Sequence, residues 1–555
     1  MEMLPLGIDS FEKIRREGYY YIDKTRFILE LLSRERFEVS LITRPRRFGK
    51  TLAVSMLADF FDIRKDSRSI FEGLEVAQNK KICADWMNQW PVLSITFKDV
   101  EDLVFDEAIG MLADLLADLC IEHSYLAASD KVDSDDKKDF TLLKSGNASG
   151  RTVRSGIYLL MRMMHAHYGK PVILLIDEYD VPLAKAYEHG YYEQMLNYIR
   201  SILSRTLKTN RYLKFAVVTG CLRIAKESIF TGTNHFVSNS ISSDAYTDIF
   251  GFTKEEVGAL LADAGLENRA EDIRRWYDGY QIGSSKIYCP WDVMNYIRDL
   301  INNPEACPRN YWKDTSHNDI VRSFIGKEEF DIAEKLENLL GGGSIKVWLR
   351  DDLSYDMIHS SEENFWNILY LTGYLTNDCS NAQELEQGEA YLRIPNEEVK
   401  TIFAETIAVW FKDSMGAYDR GPLMTALWTG EEENVSFILA GLLFRTISYH
   451  NYKEDFYHAF LAGIFVGLGY AVESDREYGE GRPDLVIKDN RNQRVLVIEV
   501  KKSKSAGDME SDCALATDQL LIKKYADEFL DGYHKIVCYS IAFYKKQCLV
   551  RLVSV

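Results

Sequence analysis

The chain has 555 residues, of which 46% are hydrophobic and 27% charged, with 11 prolines and 34 glycines. This composition excludes a disordered chain, a collagen and a coiled-coil rod, and the length predicts about three domains. The 66 lysines and arginines stand against 85 aspartates and glutamates, which gives a net charge of −19. A surface-wide coat of phosphate-neutralising charge is therefore excluded, and any nucleic-acid site must be local.

Cysteine usage and hydropathy indicate the cellular compartment. The nine cysteines are scattered and form no Cys-x-x-Cys pair, which disfavours a disulfide framework and a zinc ribbon. The longest apolar core, Val172 to Ile176, is far too short to cross a bilayer, and the N-terminus carries early charges instead of the apolar region of a signal peptide. We therefore expect a cytoplasmic protein without a membrane partner.

Residues 1–240 alternate short apolar runs with helical patterns, which predicts a parallel sheet with flanking helices, an α/β fold. The polar stretch 126–150 is predicted to be an exposed loop or insertion. The predicted strands are 38–44, 91–97, 171–178 and 213–220.

The residues after the first predicted strand are typical of a phosphate-binding loop. They end in Gly49-Lys50-Thr51, directly before a helical pattern, so that main-chain N–H groups and the helix dipole would face a triphosphate. We expect Lys50 to contact the β- and γ-phosphates of ATP and Thr51 to bind Mg²⁺. Arg44 stands where such loops usually have their first glycine, and a purely structural turn at Gly49 with a solvated Lys50 is the alternative. Arg46, Arg47 and Phe48 complete the candidate nucleotide-binding loop.

Two later strands end in residues that suit the same site. The run 172–178 ends in Asp177, a candidate Mg²⁺ ligand, and Glu178, a candidate for activating the attacking water. Thr219 ends the next strand, where it could contact the γ-phosphate, and Arg223 follows. The alternative for these residues is an acidic turn, a capping threonine and a surface arginine.

Several segments carry a family resemblance. LGIDSFEKIRREGYYYIDKT, LITRPRRFGKTLAVSML, LLIDEYD and VVTGCLRIAKESIFTG resemble a bacterial AAA-ATPase-like family, and the resemblance continues through residues 276–280 and 287–297. It implies a P-loop ATPase in which Arg44 is part of the family's own pattern. Tyr21, Asp23, Lys24 and Thr25 match the family's N-terminal segment, where they could contact nucleotide or anchor the N-terminus to the sheet.

Residues 241–440 are predicted to be a mostly helical lid or connector, with a capping box formed by Thr253 and Glu256. Residues 441–555 differ, since their 16 basic and 16 acidic residues balance, and they predict a small α/β domain of helix, three strands, helix and strand. A local approach to nucleic acid is easiest there.

The C-terminal hairpin carries a second candidate site. Asp484 starts the predicted strand 484–488, and the alternation of the next predicted strand, 494–501, places Glu499 and Lys501 on one face. Two carboxylates can hold Mg²⁺ or Mn²⁺, and Lys501 can position water or stabilise developing negative charge. An ordinary acidic strand end is the alternative.

These residues resemble the PD-(D/E)xK motif of a nuclease superfamily, in Pro483-Asp484 followed by Glu499-Val500-Lys501. The resemblance implies a restriction-endonuclease-like fold with Glu454 as the helical acidic residue and Gln519 and Tyr525 as accessory residues. His458, one helical turn after Glu454, is expected to be a packed helix residue.

The leading hypothesis is an ATPase that gates or moves a metal-dependent nuclease, with ATP and Mg²⁺ (or Mn²⁺) as cofactors and DNA rather than RNA as partner. A second hypothesis is a nucleotide switch or scaffold whose C-terminal domain binds nucleic acid or protein without cleavage, and a third is a nuclease with a degenerate ATPase fold. The intact Lys50, Thr51, Asp177 and Glu178 argue against the third. Assembly into a homo-oligomer is left open.

Overall fold

The protein is described here by a computed structural model. The residues that it describes are 3–33, 38–223, 236–312, 333–350, 353, 355–357, 360–380, 385–414, 421–446, 454–467, 470–473, 483–530 and 532–554. Contacts group the chain into two compact units, one formed by Met1–Tyr311 with Val347–Asn396 and the other by Trp312–Lys346 with Glu397–Val555. The domain boundaries expected at residues 240 and 440 stay a prediction beside this grouping.

Helices are the commonest regular elements in the described parts of both units. In chain order they are α1 Phe11–Arg16, α2 Arg26–Ser33, α3 Lys50–Phe61, α4 Arg68–Phe71, α5 Glu75–Gln78, α6 Lys80–Trp86, α7 Phe105–Glu122, α8 Tyr125–Ala128, α9 Ser134–Lys144, α10 Gly150–Arg154, α11 Gly156–Tyr168, α12 Val181–Glu188, α13 Tyr192–Leu207, α14 Lys254–Ala264, α15 Ala270–Tyr277, α16 Pro290–Asn302, α17 Ala333–Leu340, α18 Glu362–Thr372, α19 Glu397–Ser414, α20 Gly421–Thr429, α21 Glu432–Thr446, α22 Glu454–Gly467 and α23 Met509–Lys523. Among the helices described, none combines the length and apolarity that crossing a bilayer requires.

The strands are short. They are β1 Val39–Thr43, β2 Val92–Thr96, β3 Val172–Asp177, β4 Leu213–Gly220, β5 Phe236–Asn239, β6 Tyr280–Ile282, β7 Ser285–Ile287, β8 Ile345–Trp348, β9 Thr376–Asn377, β10 Glu389–Arg393, β11 Ala471–Glu473, β12 Leu485–Asp489, β13 Arg494–Lys502, β14 Lys535–Tyr544 and β15 Gln547–Val553.

A parallel five-stranded sheet of order β2-β3-β4-β1-β5 forms the centre of the first unit. Every residue of β1 and β3 is buried, as expected when helices cover both faces of a parallel sheet. The α/β prediction and its first four strands are confirmed. The carboxyl ends of all five strands meet at one edge of the sheet, where the first candidate site lies.

The stretch 126–150 is not the loop that its polarity predicts. It contains the end of α8, all of α9 and the start of α10, and α9 buries Phe140 and Leu143. Asp133 caps α9 by accepting a hydrogen bond from the Asp135 N–H. The prediction was wrong because two apolar residues three positions apart anchor an otherwise polar helix.

The second unit is built on a sheet of order β11-β12-β13-β14-β15, in which the β13–β14 pair is parallel and the other pairs are antiparallel. The predicted helix, three strands, helix and strand are present, and β15 is an additional strand. Two further helices pack on this sheet, since the Tyr539 hydroxyl donates to the Leu427 carbonyl of α20 and the Val550 N–H donates to Ser436 Oγ of α21.

Candidate functional site

The loop between β1 and α3 has the backbone that phosphate binding requires. Gly49 precedes the helix at φ 84°, a left-handed conformation that favours glycine, and Lys50 is the first helical residue. The N–H groups of the first turn of α3 have no helical acceptors, so they are available to an anion.

Lys50 bonds to its own loop. Its side chain is 5% exposed, and Nζ donates to the carbonyl oxygens of Arg44 at 3.0 Å and Pro45 at 2.9 Å. A phosphate at the loop would compete for the same ammonium group. The thiol of Cys221, which follows β4, lies 3.7 Å from Lys50 Nζ.

Asp177 lies at the end of β3 between two threonines. Thr51 Oγ1 donates to Asp177 Oδ2 at 2.7 Å, and Thr219 Oγ1 donates to Oδ1. The structure therefore brings together three residues that the sequence proposed for one site. Thr219 contacts the acidic residue itself, so any contact with phosphate stays a prediction.

The two acidic residues after Asp177 differ in environment. Glu178 is half-buried at φ 51°, and burial followed by the charge of Asp177 raises its pKa. Asp180, which the sequence analysis missed, is buried and accepts hydrogen bonds from the N–H groups of Cys221 at 3.0 Å and Leu222 at 2.9 Å. A Cβ at Gly220 would lie 2.5 Å from Asp180 Oδ1, so this strand end needs a glycine.

Arg44 is fully buried and acts as a clamp on main-chain oxygens. Nη1 donates to the carbonyl groups of Thr43, Asn239 and Ser240 at 2.8 to 2.9 Å. Nη2 donates to Ala245 at 2.9 Å and Tyr246 at 3.4 Å. Burial lowers the pKa of Arg44 to about 10. The residue at the usual glycine position thus ties the loop to the segment 239–246.

The other loop residues point to different neighbours. The guanidinium of Arg47 lies 4.0 Å from the centre of the Trp291 ring, and the buried Phe48 ring meets Tyr280 edge to face. Burial opposes the charge of Arg46, but Cys221, Tyr355 and Asp180 together raise its pKa. Arg223 follows β4, and its Nε is buried without a hydrogen-bond partner among the residues described. Their roles in nucleotide binding stay predictions.

The Tyr21 to Thr25 segment makes structural contacts. Asp23 accepts hydrogen bonds from the Thr25 hydroxyl at 2.7 Å and from the Glu75 N–H at 2.7 Å. Lys24 Nζ bonds both carboxylate oxygens of Glu256, at 2.6 and 2.7 Å. These contacts support the alternative in which the segment anchors the N-terminus.

The C-terminal hairpin brings the second set of residues together. Asp484 directly precedes β12, and Leu485 pairs with Ile498, so Asp484 lies opposite Glu499 at the hairpin's open end. Asp484 Oδ2 accepts a hydrogen bond from the Val500 N–H at 2.6 Å. Both carboxylates therefore occupy the position that the sequence predicted.

Glu499 is the most constrained of these residues. Its side chain is fully buried, and Oε2 has no hydrogen-bond partner among the residues described. Lys501 Nζ lies 3.3 Å from the other oxygen, Oε1, and also donates to the Val500 carbonyl at 3.1 Å. Burial, and then the charge of Asp484, raise the pKa of Glu499 to about 7 despite Lys501.

Neighbouring helices add polar groups to this hairpin. Burial raises the pKa of Tyr525. The hydrogen bond between Gln519 of α23 and the Tyr525 hydroxyl opposes this rise, and the negative charge of Glu499 adds to it. His458 Nε2 of α22 lies 3.4 Å from Asp484 Oδ2, so His458 faces the site instead of only packing its helix. Glu454 is the first residue of α22, and its side chain lies outside the part that the structure describes.

The donor set fits a hard divalent cation. An unpartnered, buried carboxylate oxygen beside a second carboxylate is a costly arrangement that a cation would relieve. Within the described ranges no three histidine, cysteine or acidic side chains cluster as a metal site. Asp484 and Glu499 are the described pair that could hold the ion.

Comparison with known families gives a match for each of the two residue ranges that hold the candidate sites. Residues 5–230 match the model of an AAA-ATPase-like family described as "Predicted AAA-ATPase". Residues 452–551 match a PD-(D/E)XK nuclease superfamily model. The chain thus carries an AAA-ATPase-like domain and a PD-(D/E)XK domain. Both resemblances found in the sequence are confirmed.

One relative extends the likeness beyond the two matched domains. It is a protein of Azotobacter chroococcum mcd 1, described as an uncharacterized protein in the vnfD 5' region. The two chains are 26% identical over 545 residues, which cover 95% of this chain and 93% of the relative. The helical region between the AAA-ATPase-like and PD-(D/E)XK domains is therefore part of the shared length.

Proposed function

We propose that this protein binds and hydrolyses ATP at the β1–α3 loop and cleaves nucleic acid with a divalent cation at the β12–β13 hairpin, with the nucleotide state controlling cleavage. The observation that carries the proposal is Glu499, a fully buried carboxylate beside Asp484 and Lys501, one of whose oxygens has no hydrogen-bond partner among the described residues. If Glu499 had only a structural role, replacing it with an apolar residue, or pairing it fully, would increase the stability of the protein. The position of Glu499 in a hairpin that carries the Asp484, Glu499 and Lys501 pattern supports a role as a metal ligand.

At the hairpin, Asp484 and Glu499 would hold Mg²⁺ or Mn²⁺, with Glu454 as a further candidate. The bound ion would polarise the phosphodiester and lower the pKa of a water molecule. Lys501, held between Glu499 and the Val500 carbonyl, would place positive charge where negative charge develops. Gln519 and Tyr525 would orient the scissile strand or the water.

At the loop, the protein's own contacts define what ATP must displace. Lys50 would exchange the Arg44 and Pro45 carbonyls for phosphate oxygens. Thr51 and Asp177, already in contact, would hold Mg²⁺. The raised pKa of Glu178 brings this carboxylate closer to the range in which a general base works best at neutral pH.

The test uses the full-length protein with labelled single- and double-stranded DNA and RNA, in Mg²⁺ or Mn²⁺, with and without ATP. Asp484→Asn keeps an oxygen for the Val500 N–H and removes the charge, and the exposed Asp527→Asn is the matched control. We expect cleavage to fall by about 10³-fold in Asp484→Asn only, with ATP hydrolysis retained. Lys50→Ala should lose ATP hydrolysis and the effect of ATP on cleavage.

Each outcome assigns one function. Cleavage that persists in Asp484→Asn would remove the nuclease assignment from this hairpin. If the wild type cleaves no substrate with either metal, the protein acts as a nucleotide switch whose C-terminal domain binds without cutting. The net charge of −19 favours the nucleotide-switch function, because it disfavours a protein surface that binds nucleic acid throughout.

A further inference from the structure

The opposite edge of the first unit's sheet carries a group of cations and aromatic rings that neither proposed activity uses. β2, β3 and β4 are parallel, so their first residues lie at one edge, away from the loop. Lys214, at the start of β4, precedes Gly220 at its end by six residues, or about 20 Å. We name this surface the basic aromatic edge, and it consists of Trp86, Trp90, Lys170, Arg211, Tyr212 and Lys214.

The rings and cations of this edge are in contact. The Trp86 and Trp90 rings lie 5.2 Å apart. Lys214 Nζ is 5.3 Å from the centre of Trp86 and 4.5 Å from that of Trp90. Lys170 Nζ lies 5.4 Å from Trp90 and donates to the Gln89 carbonyl at 2.9 Å. Both tryptophans and both lysines are half-buried, so part of each remains accessible.

The same pattern continues along the edge. The guanidinium of Arg211 lies 4.9 Å from the Tyr212 ring, and the exposed Arg205 lies 5.2 Å from the Tyr158 ring. Tyr158 and Tyr212 are themselves in edge-to-face contact at 5.6 Å. Among the residues described, the cations of the edge thus contact aromatic rings and oxygens of main chain or phenol and form no ion pair with a carboxylate.

The local charge is opposite to that of the whole chain. Residues 205–214 contain four basic residues, Arg205, Lys208, Arg211 and Lys214, and no acidic one. Residues 158–170 contain no acidic residue; of their two cations, Arg162 pairs with Asp136, and Lys170 belongs to the edge. Near the tryptophans, Asp85 is outnumbered by Lys80 and Lys81. In a protein of net charge −19, this edge thus carries a local excess of basic residues.

We propose that the basic aromatic edge binds a single-stranded nucleic acid. Ring faces beside mobile ammonium groups match a strand that offers both unpaired bases to stack and phosphates to neutralise. In a duplex the faces of the bases are stacked on each other, and an acidic protein has no bases. Neither partner could therefore use both the aromatic rings and the ammonium groups. When bases stack on the rings, they would displace the lysine ammonium groups, which would then contact the phosphates. The inference rests on the proposed function only in taking nucleic acid as the partner.

The test separates this surface from the nuclease site. In an Asp484→Asn background with EDTA, binding of a labelled 20-nucleotide oligothymidylate is followed by fluorescence anisotropy over a range of salt concentrations. The variant Lys170→Gln with Lys214→Gln is compared with Lys254→Gln and Lys286→Gln, two exposed lysines of the same unit that give the same net charge. Thermal melting verifies that both are folded.

We expect the edge variant to bind about tenfold more weakly at low salt and the control to bind as the parent does. The slope of log affinity against log salt should become shallower by about 1.4, since each phosphate contact of a single strand contributes about 0.7. Trp86→Leu should weaken binding, and Trp86→Phe, which keeps a ring, should weaken it less. A duplex of the same length should lose less affinity in the edge variant than the single strand.

Two results distinguish this inference from the proposed function. If the edge variant binds like its control at every salt concentration, the inference is overturned, whether or not the wild type cleaves nucleic acid. The second result is that the wild type cleaves no substrate, while the edge variant shows a lower affinity and a shallower salt dependence. The inference about the basic aromatic edge then stands, and the nuclease assignment is removed.

Discussion

At the β1–α3 loop the side chains of Lys50 and Thr51 already bond to the protein, whereas at the β12–β13 hairpin one carboxylate oxygen has no hydrogen-bond partner among the residues described. Lys50 is held by two carbonyl groups, and Asp177 is held by Thr51 and Thr219. Glu499 is buried, its Oε2 has no hydrogen-bond partner within the part of the chain that the structure describes, and its pKa is raised. If the proposed function is right, the loop must exchange these contacts when nucleotide binds, and we expect the hairpin to gain stability when it binds a cation.

The largest expected effect tests the hairpin half of this contrast. Lys501→Ala removes the ammonium group beside Glu499, so we expect cleavage to fall by about 10² to 10³-fold. Lys501→Arg should restore part of the rate, and the exposed Lys504→Ala is the control. Single-turnover cleavage at saturating metal measures the effect. Equal rates in Lys501→Ala and Lys504→Ala would show that this lysine is not part of the reaction.

The loop half of the contrast is tested by Arg44→Met. The substitution leaves five carbonyl contacts unmade, and we expect a loss of about 3 kcal/mol in the free energy of unfolding. Arg44→Lys keeps the charge but reaches fewer oxygens, so its loss should be smaller. Denaturant titration gives both values. An Arg44→Met protein as stable as the wild type would mean that the clamp contributes nothing to the loop.

The pKa of Glu499 predicts a gain in stability on substitution. Because its pKa is raised from 4.5 to about 7, the folded protein holds this proton more tightly than the unfolded chain, and stability is lost as pH rises through this range. The loss amounts to at most about 3 kcal/mol above pH 7. Without metal, Glu499→Gln should therefore be more stable than the wild type at pH 8 and show no advantage at pH 4.

Melting temperatures at the two pH values measure this gain. Glu473→Gln is the control, since Glu473 is paired with Lys488 and should yield no gain. Added Mg²⁺ or Mn²⁺ should reduce the difference in melting temperature between Glu499→Gln and the wild type at pH 8, because the metal should stabilise only the wild type. Equal stability of Glu499→Gln and wild type at pH 8 would remove the contrast between the two sites.

The smallest expected effect concerns the N-terminal segment. Thr25→Val removes a hydroxyl that donates to Asp23 and accepts from the Val76 N–H, at a cost of about 1 kcal/mol. Thr25→Ser should retain the stability. The KM for ATP should not change in either variant, because these contacts do not involve the loop. A raised KM without loss of stability would instead place the segment at the nucleotide.

The sequence was sufficient for the elements whose apolar pattern is strong. The buried strands β1 and β3, the Gly49-Lys50-Thr51 turn and the Asp484, Glu499 and Lys501 hairpin follow from local periodicity and motif spacing. It was insufficient for α9, whose two buried residues are few among polar ones, and for β15, which is partly exposed at the sheet edge.

Contacts between distant residues could not be predicted. Arg44 bonds to carbonyls about 200 positions away, and main-chain oxygens leave no residue-type signal. Asp180 stands two residues after Glu178, but its structural role depends on hydrogen bonds from N–H groups that follow β4. His458 was one helical turn from a predicted site residue, and that spacing was the available signal for its approach to Asp484.

The Arg44 clamp also determines when the loop becomes ordered. A flexible, glycine-rich phosphate loop can become ordered when its ligand binds. The loss of conformational entropy then makes the free energy of binding less favourable. Here the buried guanidinium orders the loop while the protein folds, so the entropy is lost before any nucleotide arrives. Release of the product would likewise leave a preorganised loop behind, ready for the next nucleotide without refolding.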